Sequence, residues 1–505
     1  MDRRLILAIA LSLLVLLSWS ALVSKTYNID NKGVTQNISA PGAVKPVVVE
    51  ALALPKPDPI TPTLLKFSQA KYDLIFNESQ AAIQEVVFKS YQDYAFPIKY
   101  GLLSGDANLV FRKESITPQG VNFIYRDNAK QITKRFVAVG DYEIRLEITA
   151  QNLSGQPLFV GLPLTLGVLN FAAGPAQSRL QDLTIAAGDK IVHSNLRKEI
   201  NFSAVKFMGL RDNYFCMIVE PDPDNYTGFV KKLNAQESLV GLASGELALN
   251  PGQQARRTFR IYLGPQELRQ ITAAKSEWAA VMYYGTFDFI ARLLLKLLDL
   301  LYSLVHNWGV TIIILSFLIY LLLYPLSIKQ MRSMKQMQAL QPAIEELKKL
   351  HKNNPQKLNT EIMALYREYK VNPLSGCLPM VLQIPIFFAL YQVLIRSVAL
   401  KGANFLWIKD LSSPDRLFVL PTSIPILGNE INILPILMAI GMFFQQKMSM
   451  SAVSGGSADQ QKLMMIIFPL MFGFIFYRMP SGLVLYWFIN STLMLLQQVL
   501  MSRKR

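Results

Sequence analysis

The apolar residues of this chain gather in long runs after Tyr283. A helix needs about 20 such residues to cross the hydrocarbon of a bilayer. Five runs approach that length: Trp308 to Tyr324, Cys377 to Ile395, Ile431 to Phe444, Leu463 to Tyr477 and Leu483 to Leu500. A sixth, Leu5 to Val23, opens the chain behind Arg3 and Arg4. Six runs of this kind rule out a single water-soluble core. A content of 51% hydrophobic against 17% charged residues points the same way.

Charge sets the orientation. The chain carries a net +16, a balance that elsewhere suggests nucleic acid, but the excess flanks the apolar runs, where it follows the positive-inside rule. Lys329, Arg332, Lys335, Lys348, Lys349, Lys352, Lys357, Arg367 and Lys370 outnumber the acids between the first two core runs. The loop after the second is balanced, and the chain closes on Arg503-Lys504-Arg505. Both termini and the segment 327–372 therefore belong in the cytoplasm, with six crossings. The polar helical period of that segment, broken at Asn353-Asn354-Pro355, predicts a helical hairpin outside the membrane. The run at residues 1–24 is long for a signal peptide, which favours an uncleaved anchor; cleavage near Ser18 to Ala21 is the alternative.

The stretch between reads differently. Residues 25–62 hold Pro41, Pro46, Pro55, Pro57, Pro59 and Pro62, an extended linker. Residues 63–278 read as a soluble domain of short strands. Tyr142 to Thr149 alternates strictly between turn signals at Gly140-Asp141 and Asn152-Leu153-Ser154-Gly155, and Phe259 to Leu263 repeats the alternation. A β-sandwich is expected, acting either as a docking surface or as a spacer. Within residues 279–306 the period becomes helical, with Phe287, Ile290, Leu294, Leu297 and Leu301 on one face and Arg292, Lys296, Asp299 and Ser303 on another. This suits a helix lying on the bilayer surface.

Polar residues inside the runs are the candidate site. Ser316, Tyr320 and Tyr324 recur every four residues; Tyr486, Asn490 and Gln497 do so approximately in the last run, and Gln383 lies in the second. Polar side chains in hydrocarbon must face partners, water or a cavity. They either line a wet groove or glue the bundle by interhelical hydrogen bonds. Met331, Met334 and Met337 repeat at helical spacing on the hairpin, as an adaptable client or partner surface or as its packing seam. The runs Ile431 to Phe444 and Leu463 to Tyr477 are short, through local membrane thinning or through run ends that lie further out.

Little supports catalysis. Cys216 and Cys377 fall in different compartments, and His193, His306 and His351 have no ligand spacing, so neither a disulfide framework nor a metal or other cofactor site is expected. A secondary transporter, the first alternative, calls for mid-membrane ionisable residues and an internal repeat. A membrane-bound enzyme, the second, calls for a nucleophile with a base.

Several segments together resemble the YidC/Oxa family of insertases in order and spacing. They are Asn307-Trp308-Gly309, Tyr324-Pro325-Leu326, Met363-Ala364-Leu365-Tyr366, the run Val371 to Pro379, Gln383-Ile384-Pro385-Ile386-Phe387 and Pro480 to Trp487. Gly209 to Phe215 is similar to the exported domain of the Gram-negative form. The resemblance implies a multi-domain protein of the bacterial inner membrane: an anchor helix, a periplasmic β-supersandwich, and a five-helix core over residues 307–501 with a cytoplasmic hairpin and a basic tail at 502–505. It also implies a hydrophilic groove open to the cytoplasm and lipid, with nascent inner-membrane proteins as clients and no enzymatic step. Partners implied are the Sec translocon, membrane lipids, and the ribosome or signal recognition particle; nucleic-acid binding is not expected. The family usually places an arginine in the groove where this chain has Tyr320, which offers a hydroxyl and no positive charge.

Overall fold

The computed structural model describes residues 63–503, apart from 105–108, 171–181, 195–198, 223–225, 353, 370, 372–377, 425–427 and 451–457. The anchor, the linker, Cys377 and the last two residues of the tail lie outside the described residues.

From Leu64 to Pro265 the described structure is almost wholly antiparallel strand. The largest sheet has nine strands, with Gln254–Pro265 near its centre between Phe215–Asp222 and Glu143–Asn152. The alternation read around Tyr142 is the strand Glu143–Asn152, whose residues are buried at every second position. Sheets of four and five strands cover this large sheet. Phe76 of the four-stranded sheet meets Phe136 of the nine-stranded one at 4.9 Å, and Phe88 stacks on Phe215 at 4.1 Å. Gly228 of the five-stranded sheet approaches so closely that a Cβ there would lie 2.9 Å from the Met208 sulfur.

Lys134 sits in this core fully buried. Its amine donates to the carbonyls of Ala81 at 2.5 Å and Leu102 at 2.8 Å. Both acceptor residues are non-glycines in the left-handed region, at φ 46° and 58°. Burial pushes the Lys134 amine down to about 7, because the charged form has lost its hydration.

Past the strands come α1 (Leu268–Ala274) and α2 (Asp288–Val305). The second is the amphipathic helix expected from sequence, but its faces are divided otherwise. Ala291, Leu294, Leu298 and Leu301 are buried, whereas Phe289, Leu293, Leu300 and Leu304 stand exposed. Leu294 and Leu301 therefore pack within the protein, and a neighbouring stripe carries the free apolar surface. A helix with two apolar sectors is broader than the single stripe that its spacing suggested.

The remaining helices are α3 (Trp308–Ala339), α4 (Gln341–Leu350), α5 (Pro355–Glu368), α6 (Leu378–Arg396), α7 (Ile433–Met450), α8 (Ala458–Phe476) and α9 (Ser481–Arg503). Among the described residues α3 and α9 are long and apolar enough to cross a membrane; α6, α7 and α8 hold shorter apolar stretches. Proline is a strong local stop for a helix, so the first run, Trp308 to Tyr324, reads as closed by Pro325, yet α3 continues to Ala339. A proline inside a helix leaves one carbonyl without its usual donor, which polar neighbours can satisfy in membrane helices. The hairpin thus begins as an extension of α3. Met337, Leu340, Ile344, Tyr366 and Val371 form a small core of their own there.

Candidate functional site: a polar seam between three helices

The polar residues singled out in the apolar runs separate into two groups and one outlier. On α3 the Tyr320 hydroxyl donates to Gln497 Oε1 of α9 at 3.0 Å. Ser327 donates to the same oxygen at 2.8 Å. Sequence reasoning missed Ser327 by assigning it to the hairpin, although it extends the spacing of Ser316, Tyr320 and Tyr324 by one more turn. The Tyr320 and Tyr324 rings meet edge-on at 5.9 Å, and Tyr324 is exposed.

The second group joins α6 to α9. Gln383 Nε2 donates to the Tyr486 hydroxyl at 2.5 Å, and both side chains are buried. Asn490 is buried one turn further along α9. Gln383 Oε1 and Gln497 Nε2 are buried amide atoms without a protein hydrogen-bond partner. Leaving such atoms unsatisfied costs about 1–3 kcal/mol each.

Ser316 is the outlier. It is fully buried and donates to its own helix at Ile312 O, 2.7 Å away. The hydroxyl is satisfied there without a partner helix. Met331 and Met334 are half-buried, while Met337 packs in the hairpin core.

One end of the bundle is closed by the loop between α6 and α7. Asp415 is buried, and its Oδ2 accepts from the first amides of α7, Ile433 N at 2.9 Å and Leu434 N at 3.0 Å. The same oxygen accepts from Trp407 Nε1 at 3.2 Å. Ser481 N and Gly482 N, at the start of α9, donate to Ser413 O and Leu411 O. Phe405 covers Gly309 in the first turn of α3, where any Cβ would lie 2.0 Å from its ring. The loop therefore ties together the starts of α3, α7 and α9. Asp415 caps a helix 18 residues away in sequence, so no local capping signature announces it.

The β-rich domain docks on this same end. Asp182 accepts from Arg211 at 3.0 Å and pairs with Arg396, the last residue of α6, at 2.9 Å. Burial raises the Asp182 carboxyl, but Arg396 and Arg211 outweigh it and hold it below the usual carboxylate range. Arg211 also donates to Val281 O and Tyr283 O. Beside it Asp212 accepts from Tyr94 at 2.9 Å, and burial pushes its carboxyl up to about 6. Lys401 of the loop lies 3.7 Å from the centre of the Tyr94 ring. The segment Gly209 to Phe215 is thus a docking hairpin. Among the described residues no three His, Cys, Asp or Glu side chains are grouped to hold a metal ion.

Known proteins decide the family. Residues 300–505 match the family described as 60Kd inner membrane protein, and residues 111–297 match the YidC periplasmic domain. The membrane protein insertase YidC of Syntrophobacter fumaroxidans is 37% identical over 385 residues, covering 74% of this chain and 68% of the relative. This chain belongs to the YidC family. The membrane protein insertase YidC of Geobacter metallireducens is 30% identical over 545 residues, covering 99% of this chain and 98% of its own length. A crystal structure of an active YidC insertase with its first transmembrane domain resolved aligns at a TM-score of 0.42 and 18% identity, covering 88% of this chain and 94% of that one. The β-rich part of this chain matches the family's periplasmic domain, and it contacts the end of α6 and the loop that follows.

Proposed function

We propose that the seam between α3, α6 and α9 is the client path of a membrane protein insertase, working by hydration and hydrogen bonding. The chain is such an insertase by family, and its clients are nascent membrane proteins. The observation that carries the reading is the pair of unpartnered amide atoms on Gln383 and Gln497, buried among helices that present apolar surface outward. Water or the polar flank of a client satisfies such atoms, while the client's apolar segment partitions into lipid. Ser327 and Gln497 lie toward the hairpin end of their helices, and the opposite end is closed by the loop tied to Asp415 and Ser481. That asymmetry supports a path open toward the cytoplasm.

In this reading α3, α6, α7, α8 and α9 are the five core spans, both termini are cytoplasmic, and no covalent step is needed. Larger clients are taken from the Sec translocon, and the hairpin with Met331 and Met334 meets the arriving chain. Tyr320 supplies a hydroxyl and no charge, so acidic client tails are not captured electrostatically at that position.

The test is integration of a short coat-type client into liposomes holding the purified protein, without ATP. Insertion is expected with the native chain and is expected to fall in the Gln383→Leu and Gln497→Leu variants. Crosslinks from a stalled client to position 320 are expected as well. Native insertion that both leucine variants leave unchanged would remove the seam from the mechanism.

A further inference from the structure

The α6–α7 loop leaves apolar side chains exposed. Leu406 is 75% exposed and forms the tip of a tight turn in which Phe405 and Ile408 exchange backbone hydrogen bonds of 2.8 Å. Its φ of 52° is left-handed, an unfavourable setting for leucine where a turn in water takes glycine or asparagine. Further on, the strands Phe418–Ile424 and Gly428–Ile431 form a two-stranded hairpin. Phe418 and Val419 at its root are 61% and 64% exposed. Successive strand residues point to opposite faces, so neither face of the root is packed. An isolated two-stranded hairpin is marginal in water.

The depth of these groups is fixed by their partners. Phe405, next to Leu406, sits on Gly309 in the first turn of α3. Trp407 shares Asp415 with the first turn of α7. Phe418 pairs with Ile431, two residues before α7 begins. All three contacts lie at the starts of α3 and α7, which in the topology proposed above is where these helices enter the bilayer from the periplasmic side. Tryptophan with aliphatic and aromatic neighbours at that level is the composition of a membrane interface. Lys409, exposed on the same loop, matches the phosphates of headgroups.

We propose that Leu406, Phe418 and Val419 form a membrane anchor inserted at the boundary of headgroup and acyl chain in the periplasmic leaflet. Its partner is phospholipid. The anchor holds the loop, and through Lys401 and Arg396 the docked periplasmic domain, against the bilayer. The inference rests on α3 and α7 being spans, and it does not depend on the client path.

The experiment uses the full chain with Cys377→Ser, carrying Leu406→Cys or Phe418→Cys labelled with an environment-sensitive fluorophore. Two controls carry the same label: Leu322→Cys on the exposed side of α3, and Ile116→Cys at the edge of the periplasmic domain. All are reconstituted in phosphatidylethanolamine and phosphatidylglycerol vesicles. Quenching by a shallow nitroxide lipid is expected at 406 and 418, with iodide quenching several-fold below that at 116. Iodide access equal to that at 116, or protection from both quenchers, overturns the anchor. A label at 322 that escapes nitroxide lipid overturns the spans and the anchor with them.

Discussion

Asp182 of the periplasmic domain and Arg396 at the end of α6 are joined by an ion pair of 2.9 Å. The carboxylate also holds Arg211, whose side chain is only 3% exposed. One acid thus keeps two guanidinium groups together where domain meets membrane core.

Asp182→Ala leaves those two cations facing each other. Breaking a buried pair costs about 3–5 kcal/mol, and the partial exposure of Asp182 brings the expectation nearer 2 kcal/mol. Thermal unfolding of the purified chain should show a lower midpoint. The folded carboxyl lies below its unfolded value, so this stabilisation is full above pH about 4 and fades as pH falls through the folded value. The variant should therefore lose most at neutral pH and little in strong acid.

Lys134 gives a slope of the same sign in a higher pH window. Its folded value of about 7 lies far below the unfolded value, so between those two values the unfolded chain binds the extra proton. Stability of the periplasmic domain should rise from pH 7 toward pH 9, as the neutral amine becomes the prevailing form in the fold. The neutral amine still donates to Ala81 O and Leu102 O. Unfolding midpoints measured across that range should flatten in Lys134→Met. A native profile without the rise contradicts the assignment.

Gln497 is the hinge of the polar seam because its Oε1 accepts from both Tyr320 and Ser327. Tyr320→Phe removes one donor and leaves the other, so only a modest fall in client insertion is expected. Gln497→Leu orphans two hydroxyls and removes the free amide, and it should lower insertion more than either single donor variant. Equal rates for Gln497→Leu and the native chain would reduce the cluster to packing.

The legible parts of this chain are those where neighbours in sequence carry the physics. The alternation at Glu143–Asn152 gave a strand, and apolar runs gave the helices around Ser316 and Tyr486. What stayed hidden depends on residues far apart. Asp415 caps α7 from across a loop, and Asp182 finds Arg396 across a domain boundary. The spacing of α2 announced an amphipathic helix, but which apolar stripe meets protein was settled by helices that pack on it later in the chain. Pro325 read as a stop because the local rule is strong, yet α3 runs on to join the hairpin core at Met337. The polar stripe was visible, while its division into a satisfied Ser316 and a shared Gln497 needed the third dimension.

Gly309, in the Asn307-Trp308-Gly309 segment, lies under the Phe405 ring, where a Cβ would stand only 2.0 Å from a ring atom. Gly309→Ala therefore cannot be accommodated unless Phe405 moves, and Phe405 belongs to the loop that closes the bundle. Overpacking of this kind costs about 1–3 kcal/mol. Helix propensity acts the other way, favouring alanine over glycine by about 1 kcal/mol, so the net loss is the clash minus that gain. Phe405→Ala alone leaves a void over the first turn of α3 and should also destabilise. The two changes together should lose less than their sum, since the alanine methyl then enters the space left by the ring. Unfolding midpoints of the four proteins in this cycle measure the coupling, and strict additivity would show that Phe405 does not seat on Gly309.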